Sequence, residues 1–207
     1  YLQKLLCSGL LGRENEKRVV PTRWSITATD DLLAQEFLKD VRGFPEISEY
    51  RIYSSEFLHN HFEILLLPGP WEFEQFEAWS AGSVWTQDAD APSVSIAHEF
   101  EPYYGRTTYA ETEGGGYYAG RFGVVEALHA LRRQARVVVF REIGREYQVP
   151  VGVFEVRENV RNAFRSAPSK FGLLEDAFAE LRSRLANPLE TYLKKSVVLR
   201  QRRLNEF

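Results

Sequence analysis

Several residues have types and spacings that could do chemistry. Asp30 and Asp31 are adjacent carboxylates, a pairing that can bind a divalent cation, and Glu142 could add a ligand or act as an acid–base group. Neighbours at i and i+1 on a helix diverge, so one of the pair also reads as a helix N-cap. Arg23, Arg121 and Arg157 carry guanidinium groups suited to phosphate. Gly114-Gly115-Gly116 precedes a predicted helix, with Arg121 about one turn inside it. Glycine lets a backbone approach a ligand closely, and a helix N-terminus favours an anion. The run lacks the Gly-Lys-Ser/Thr of a phosphate-binding loop, and no strand leads into it as in a dinucleotide fold. His59, His61 and Glu63 could ligate a metal, but no second cluster supports them. Cys7 has no evident base beside it.

The last seven residues are Gln201-Arg202-Arg203-Leu204-Asn205-Glu206-Phe207. A tight turn of about three residues puts Leu204 and Phe207 on one face, able to plug an apolar groove. The Gln201 amide can donate and accept in a polar pocket. The spacing resembles the peptide by which replication and repair proteins dock on the sliding clamp PCNA. The alternative is the end of the last helix.

Net charge is −3, but it is unevenly spread. Residues 1–120 carry a balance of −10 and residues 121–207 one of +7. A basic second half can mark a nucleic-acid-binding face, or simply a solvated helical surface. One cysteine excludes an internal disulfide framework and a multi-cysteine zinc site within the chain. No stretch approaches the ~20 apolar residues of a membrane span. Trp24, Trp71, Trp79 and Trp85, with Tyr103, Tyr104, Tyr117 and Tyr118, make an aromatic-rich front half that could stack on exposed bases or serve as core and rim.

The elements that must position these groups follow from periodicity. Residues 2–11 show a helical apolar pattern. Residues 19–29 are rich in β-branched side chains and read as extended, with a helix beginning at Asp30-Asp31 and ending at Gly43-Phe44-Pro45. Residues 47–57 and 62–67 read as a hairpin. Residues 72–79 read as a short helix, because Phe73, Phe76 and Trp79 recur at helical spacing. A strand is expected near residues 94–97 and a helix over 117–133. Residues 136–143 read as a strand buried on both faces. A further strand is expected over 149–156, then helices over 157–164, 173–185 and 189–198.

Longer stretches carry a family resemblance. Val20-Pro21-Thr22-Arg23-Trp24-Ser25-Ile26-Thr27, followed by Asp30-Asp31, resembles a signature of the archaeal Nre family of DNA repair proteins. So do Gly114-Gly115-Gly116-Tyr117-Tyr118-Ala119-Gly120-Arg121, Arg141-Glu142-Ile143 and Pro150-Val151-Gly152-Val153. The resemblance implies a role in DNA damage repair coupled to PCNA. It also implies a four-cysteine zinc finger in an N-terminal part absent here, so no metal site is carried over.

The expected fold is α/β or α+β: a mixed sheet flanked by helices, a helical C-terminal region and a flexible tail. Residues 1–165 form the body, 166–199 the helical region and 200–207 the clamp-binding tail. The expected function is that of a repair factor docked on PCNA through Gln201, Leu204 and Phe207, with DNA as a second partner. Arg23, Gly114, Gly115, Gly116, Arg121, Arg157 and the basic C-terminal half are its expected nucleic-acid contacts. The alternatives are an adaptor without DNA contact, and a metal-dependent nuclease or other phosphate-ester-processing enzyme. That enzyme would use a divalent cation, with Asp30, Asp31 or Glu142 as ligand or base. The expected location is cytoplasmic and nucleoid-associated, with no membrane partner.

Overall fold

The computed structural model describes residues 8–11, 18–80, 83, 95–147 and 151–200. Strands β1 (Ser8–Leu11) and β2 (Arg18–Pro21) pair antiparallel as a separate ribbon. Helix α1 (Arg23–Val41) follows. It is succeeded by β3 (Tyr50–Phe57), β4 (Asn60–Leu67), β5 (Glu72–Trp79), β6 (Ser95–Glu101) and α2 (Gly115–Leu131). Then come β7 (Arg136–Ile143), α3 (Val153–Ala163), β8 (Ser169–Phe171), α4 (Leu174–Arg184) and α5 (Leu189–Leu193). Six strands form one sheet in the order β6-β5-β7-β4-β3-β8. Only β5 and β7 run parallel; the other pairs are antiparallel. The class is α+β with a mixed sheet.

Helices α1, α2 and α3 cover one face. Their core joins Leu38, Phe122, Val125 and Val160 to Phe62, Ile64, Phe73, Val137 and Val139. Helices α4 and α5 cover the other, where Phe178, Leu181 and Tyr192 meet Leu65, Phe76, Val138 and Phe140. Strand β7 is buried along its whole length, which explains its unbroken apolar centre. Leu58 and His59 both take positive φ, giving the two-residue turn that matches strand twist in the β3–β4 hairpin. Among the described residues no helix is long and apolar enough to cross a membrane.

Four expectations are corrected. Residues 8–11 are a strand, where a helix was expected over 2–11; residues 1–7 lie outside the described part. The first long helix starts at Arg23, so residues 23–29 are helical and Asp30 and Asp31 lie mid-helix. Thr22 is its N-cap: Thr22 Oγ1 accepts from the Ser25 N–H at 3.2 Å, and Ser25 Oγ accepts from the Thr22 N–H at 3.3 Å. This reciprocal box outweighs the β-branched character of Ile26, Thr27 and Thr29. Residues 72–79 are a central strand between β6 and β7, because burial on both faces overrides an apparent helical period. From Val153 the chain is helix, not strand; residues 148–150 are outside the described part. The short edge strand β8 was not foreseen.

Candidate functional site

The parallel strands β5 and β7 end side by side, at Trp79 and Ile143. The N-termini of α2 and α3 line the same cavity of about 490 Å³ through Gly116 and through Gly152 and Val153. Clefts at the carboxyl ends of parallel strands are common ligand sites. Gly114 caps α2 with φ 55 and ψ −130, a conformation that favours glycine. A Cβ on Gly116 would overlap the Glu77 carboxylate, so only glycine lets α2 lie this close to β5.

Alternation along β5 and β7 sends Gln75, Glu77 and Arg141 to the α1–α3 face. Arg141 is buried and donates to Asn60 Oδ1 at 2.7 and 3.0 Å, to Glu77 Oε1 at 2.7 Å and to Glu155 Oε2 at 3.4 Å. Asn159 donates to Glu155 Oε1 at 3.0 Å and to the Asn60 carbonyl at 3.1 Å, tying α3 to the sheet. Burial raises the pKa of Glu155, and Arg141 opposes that rise. Glu113 sits at the foot of the glycine run and also lines the cavity. It is 8 % exposed, and neither carboxyl oxygen has a hydrogen-bond partner. Burial pushes its pKa well above the usual carboxylate range, and the charges of Glu77 and Glu99 add to this. The nearby Gln75 amide favours the charged form without reaching hydrogen-bonding geometry, so it offsets only part of the rise. Burial thus favours the protonated form of Glu113, which can both donate and accept. Ile26, Trp79, Val153 and Phe154 make the remaining wall largely apolar.

A second, more polar cavity of about 550 Å³ lies beside α1 and the loop after β6. Tyr104, Tyr109 and Tyr118 line it together with Lys39, Arg42, Arg106 and Arg121. Trp24 is 72 % exposed and Tyr104 is 92 % exposed. The Trp24 and Tyr109 rings lie 6.2 Å apart, and Tyr109 stacks on Tyr118 at 5.2 Å. Arg106 is held by Glu99 at 2.6 Å, whereas Arg42 lies over the Tyr103 ring with its Nε unpartnered. Large aromatic surface left in water beside cations is what a base-stacking platform requires.

The other sequence candidates are placed as follows. Asp30 is fully buried and pairs with Arg157 of α3. Asp31 accepts from Arg121 of α2 at 3.1 Å. Arg121 is itself buried against Glu101, at 2.8 Å, and Glu101 also accepts from Trp71 Nε1 and the Tyr117 hydroxyl. The two aspartates thus diverge and bind α1 to two different helices. Glu142 faces the opposite side of the sheet from Arg141. It accepts from the Ala186 and Asn187 N–H groups at 2.7 and 2.9 Å, and from the Tyr192 hydroxyl at 2.8 Å. Burial alone would raise the Glu142 pKa, but the neighbouring His61 and the bonds from Ala186 and Asn187 hold it down to about 2. His61 lies between the Glu142 and Glu63 carboxylates, which lift its pKa to about 9. Asp30, Asp31 and Glu142 therefore share no site. Among the described residues, no group of three or more His, Cys, Asp or Glu is arranged to hold a metal ion. Arg23 is the first residue of α1. Gln201, Leu204 and Phe207 lie outside the described residues.

Much of the basic second half is neutralised internally. Arg136 pairs with Glu72, Arg161 with Glu126 and Arg182 with Glu190. Sequence reasoning missed Glu113, Glu77, Gln75 and Phe154 as a group. The one available signal was Glu113 standing immediately before the glycine run.

Residues 1–86 match the family described as Archaeal Nre, N-terminal, and residues 101–207 match Archaeal Nre, C-terminal. The chain belongs to the archaeal Nre family. It is 38% identical over 197 residues to DNA repair protein NreA of Haloferax volcanii, covering 95% of this chain and 47% of that protein. It is 37% identical over 212 residues to DNA repair protein NreB of Archaeoglobus fulgidus, covering 100% of this chain and 52% of that protein. The chain thus spans about half the length of the curated relatives it matches. No solved structure matches it.

Proposed function

We propose that this chain is a DNA-repair factor that holds single-stranded nucleic acid on its aromatic edge and is delivered by the sliding clamp PCNA. The observation that carries the reading is the exposed pair Trp24 and Tyr109, backed by the buried Tyr118 ring and flanked by Tyr104 and Arg42. Stacking on such rings contributes about 1–3 kcal/mol per base and tolerates any sequence. The repair context is supported by the names of the relatives. Delivery is supported by Gln201, Leu204 and Phe207, spaced as in clamp-docking peptides. This edge replaces the basic C-terminal half as the favoured contact, since so many of those arginines already face carboxylates.

Fluorescence anisotropy with a labelled single-stranded oligonucleotide tests the reading. Trp24→Ala with Tyr109→Ala should weaken binding at least about tenfold, one to two lost stacking contacts. Arg42→Ala should lower the slope of log affinity against log salt by about 0.7. Undiminished binding by the aromatic double variant would refute the assignment.

A further inference from the structure

The less polar cavity, of about 490 Å³, has no part in that edge. It lies at the ends of β5 and β7 and carries one unusual group. A buried carboxyl with no hydrogen-bond partner destabilises the fold, so Glu113 is expensive to keep unless something comes to satisfy it. The ligand can be narrowed by chemistry. An anion would meet Glu77 and Glu113 with Arg141 already committed to Glu77, Glu155 and Asn60. Among the described residues of its wall, a metal ion would find two carboxyl groups and no histidine or cysteine. A wholly apolar ligand would leave Glu113 unsatisfied. What remains is a neutral, flat molecule that puts an adjacent donor and acceptor against Glu113 and an apolar face against Trp79 and Phe154. The volume of about 490 Å³ lies within the roughly 300–1,000 Å³ usual for such ligands.

We propose that this cavity is a nucleobase pocket, in which Glu113 pairs with the donor–acceptor edge of a base and Trp79 and Phe154 cover its faces. A carboxylic acid closes two hydrogen bonds with adenine or cytosine, which offer an amino donor beside a ring-nitrogen acceptor. A base unstacked from a strand and a free nucleoside present the same chemistry. The pocket rests on the nucleic-acid reading only for the first of these sources.

The test uses two probes on the full chain. One is adenosine and cytidine, titrated by calorimetry. The other is a DNA duplex carrying 2-aminopurine opposite an abasic position, whose fluorescence reports unstacking. A response to the nucleosides identifies a free ligand. A response to 2-aminopurine alone identifies a base taken from a strand. In either case Glu113→Gln, which keeps a donor and an acceptor, should bind within about threefold of the parent, and Glu113→Leu should lose about tenfold or more. Thermal melting should show Glu113→Leu at least as stable as the parent, because an orphaned carboxyl has been removed. Phe154→Ala, exposed at the mouth and no threat to the fold, should also weaken binding. No response to either probe overturns the proposal, as does parental binding by both Glu113→Leu and Phe154→Ala. The outcomes separate from those of the aromatic edge. Oligonucleotide binding without a pocket signal sinks the pocket alone, and nucleoside binding without oligonucleotide binding sinks the edge alone.

Discussion

His61 should act as an alkaline-side latch between the sheet and the C-terminal helices. Its Nε2 lies 2.9 Å from Glu63 and its Nδ1 3.6 Å from Glu142, while Glu142 anchors the α4–α5 connection and Tyr192. The His61 pKa is lifted from 6.5 to about 9 by the Glu142 carboxylate and by the hydrogen-bonded Glu63, against the opposing effect of burial. A raised value in the folded state means that the contribution is complete below pH 6.5 and is lost as pH climbs through 9. One pH unit corresponds to about 1.4 kcal/mol, so the ceiling is about 3 kcal/mol, and water at the quarter-exposed ring lowers it to about 1–3 kcal/mol. Glu142 works in the opposite direction. Its lowered pKa contributes fully above 4.5 and is lost as pH falls through about 2. The pair together predicts greatest stability between those limits. Urea denaturation of the parent and of His61→Gln, at about pH 6 and about pH 9.5, isolates the histidine. The variant should be about 1–3 kcal/mol less stable at the lower pH and nearly equal to the parent at the higher. A gap of the same size at both pH values would refute the argument.

Other outcomes follow from the structure and, for the C-terminal residues, from the sequence. Gly120→Ala drives a Cβ into the Gln75 amide, so it should destabilise by about 1–3 kcal/mol in urea melts. Arg141→Met strands Glu77 and Glu155 in the interior, and should cost about 3–5 kcal/mol by the same assay. Calorimetric titration of the clamp should show binding of about micromolar strength that Gln201→Ala with Phe207→Ala abolishes.

The parts of the fold that were legible are those whose local pattern and burial agree. Val137, Val138, Val139 and Phe140 form an apolar run too short for a buried helix, and β7 is buried on both faces. Strand β5 was not legible. Phe73, Phe76 and Trp79 mimic a helix, and the acids between them look like a solvated face. Glu74 is in fact buried against Ser196 and His98, and Glu77 against Arg141, partners far away in sequence. The start of α1 was hidden because Thr22 and Ser25 cap it in place of the commoner Thr and Glu. At the site, the divergence of Asp30 and Asp31 follows from helix geometry alone. The role of the glycine run was half visible. Glycine announced a close approach, but whether backbone or ligand fills the space depends on Glu77 arriving from β5. Nothing local distinguishes Arg141 from Glu142 until the register of β7 decides which faces α2.

Photocrosslinking of a halogenated single-stranded oligonucleotide to the chain, followed by peptide mapping, tests most directly whether the aromatic edge holds the strand. Crosslinks are expected at Trp24, Tyr104 and Tyr109, and are lost when excess unlabelled strand competes. Crosslinks concentrated on α4 and α5, across the sheet from this edge, would contradict that placement.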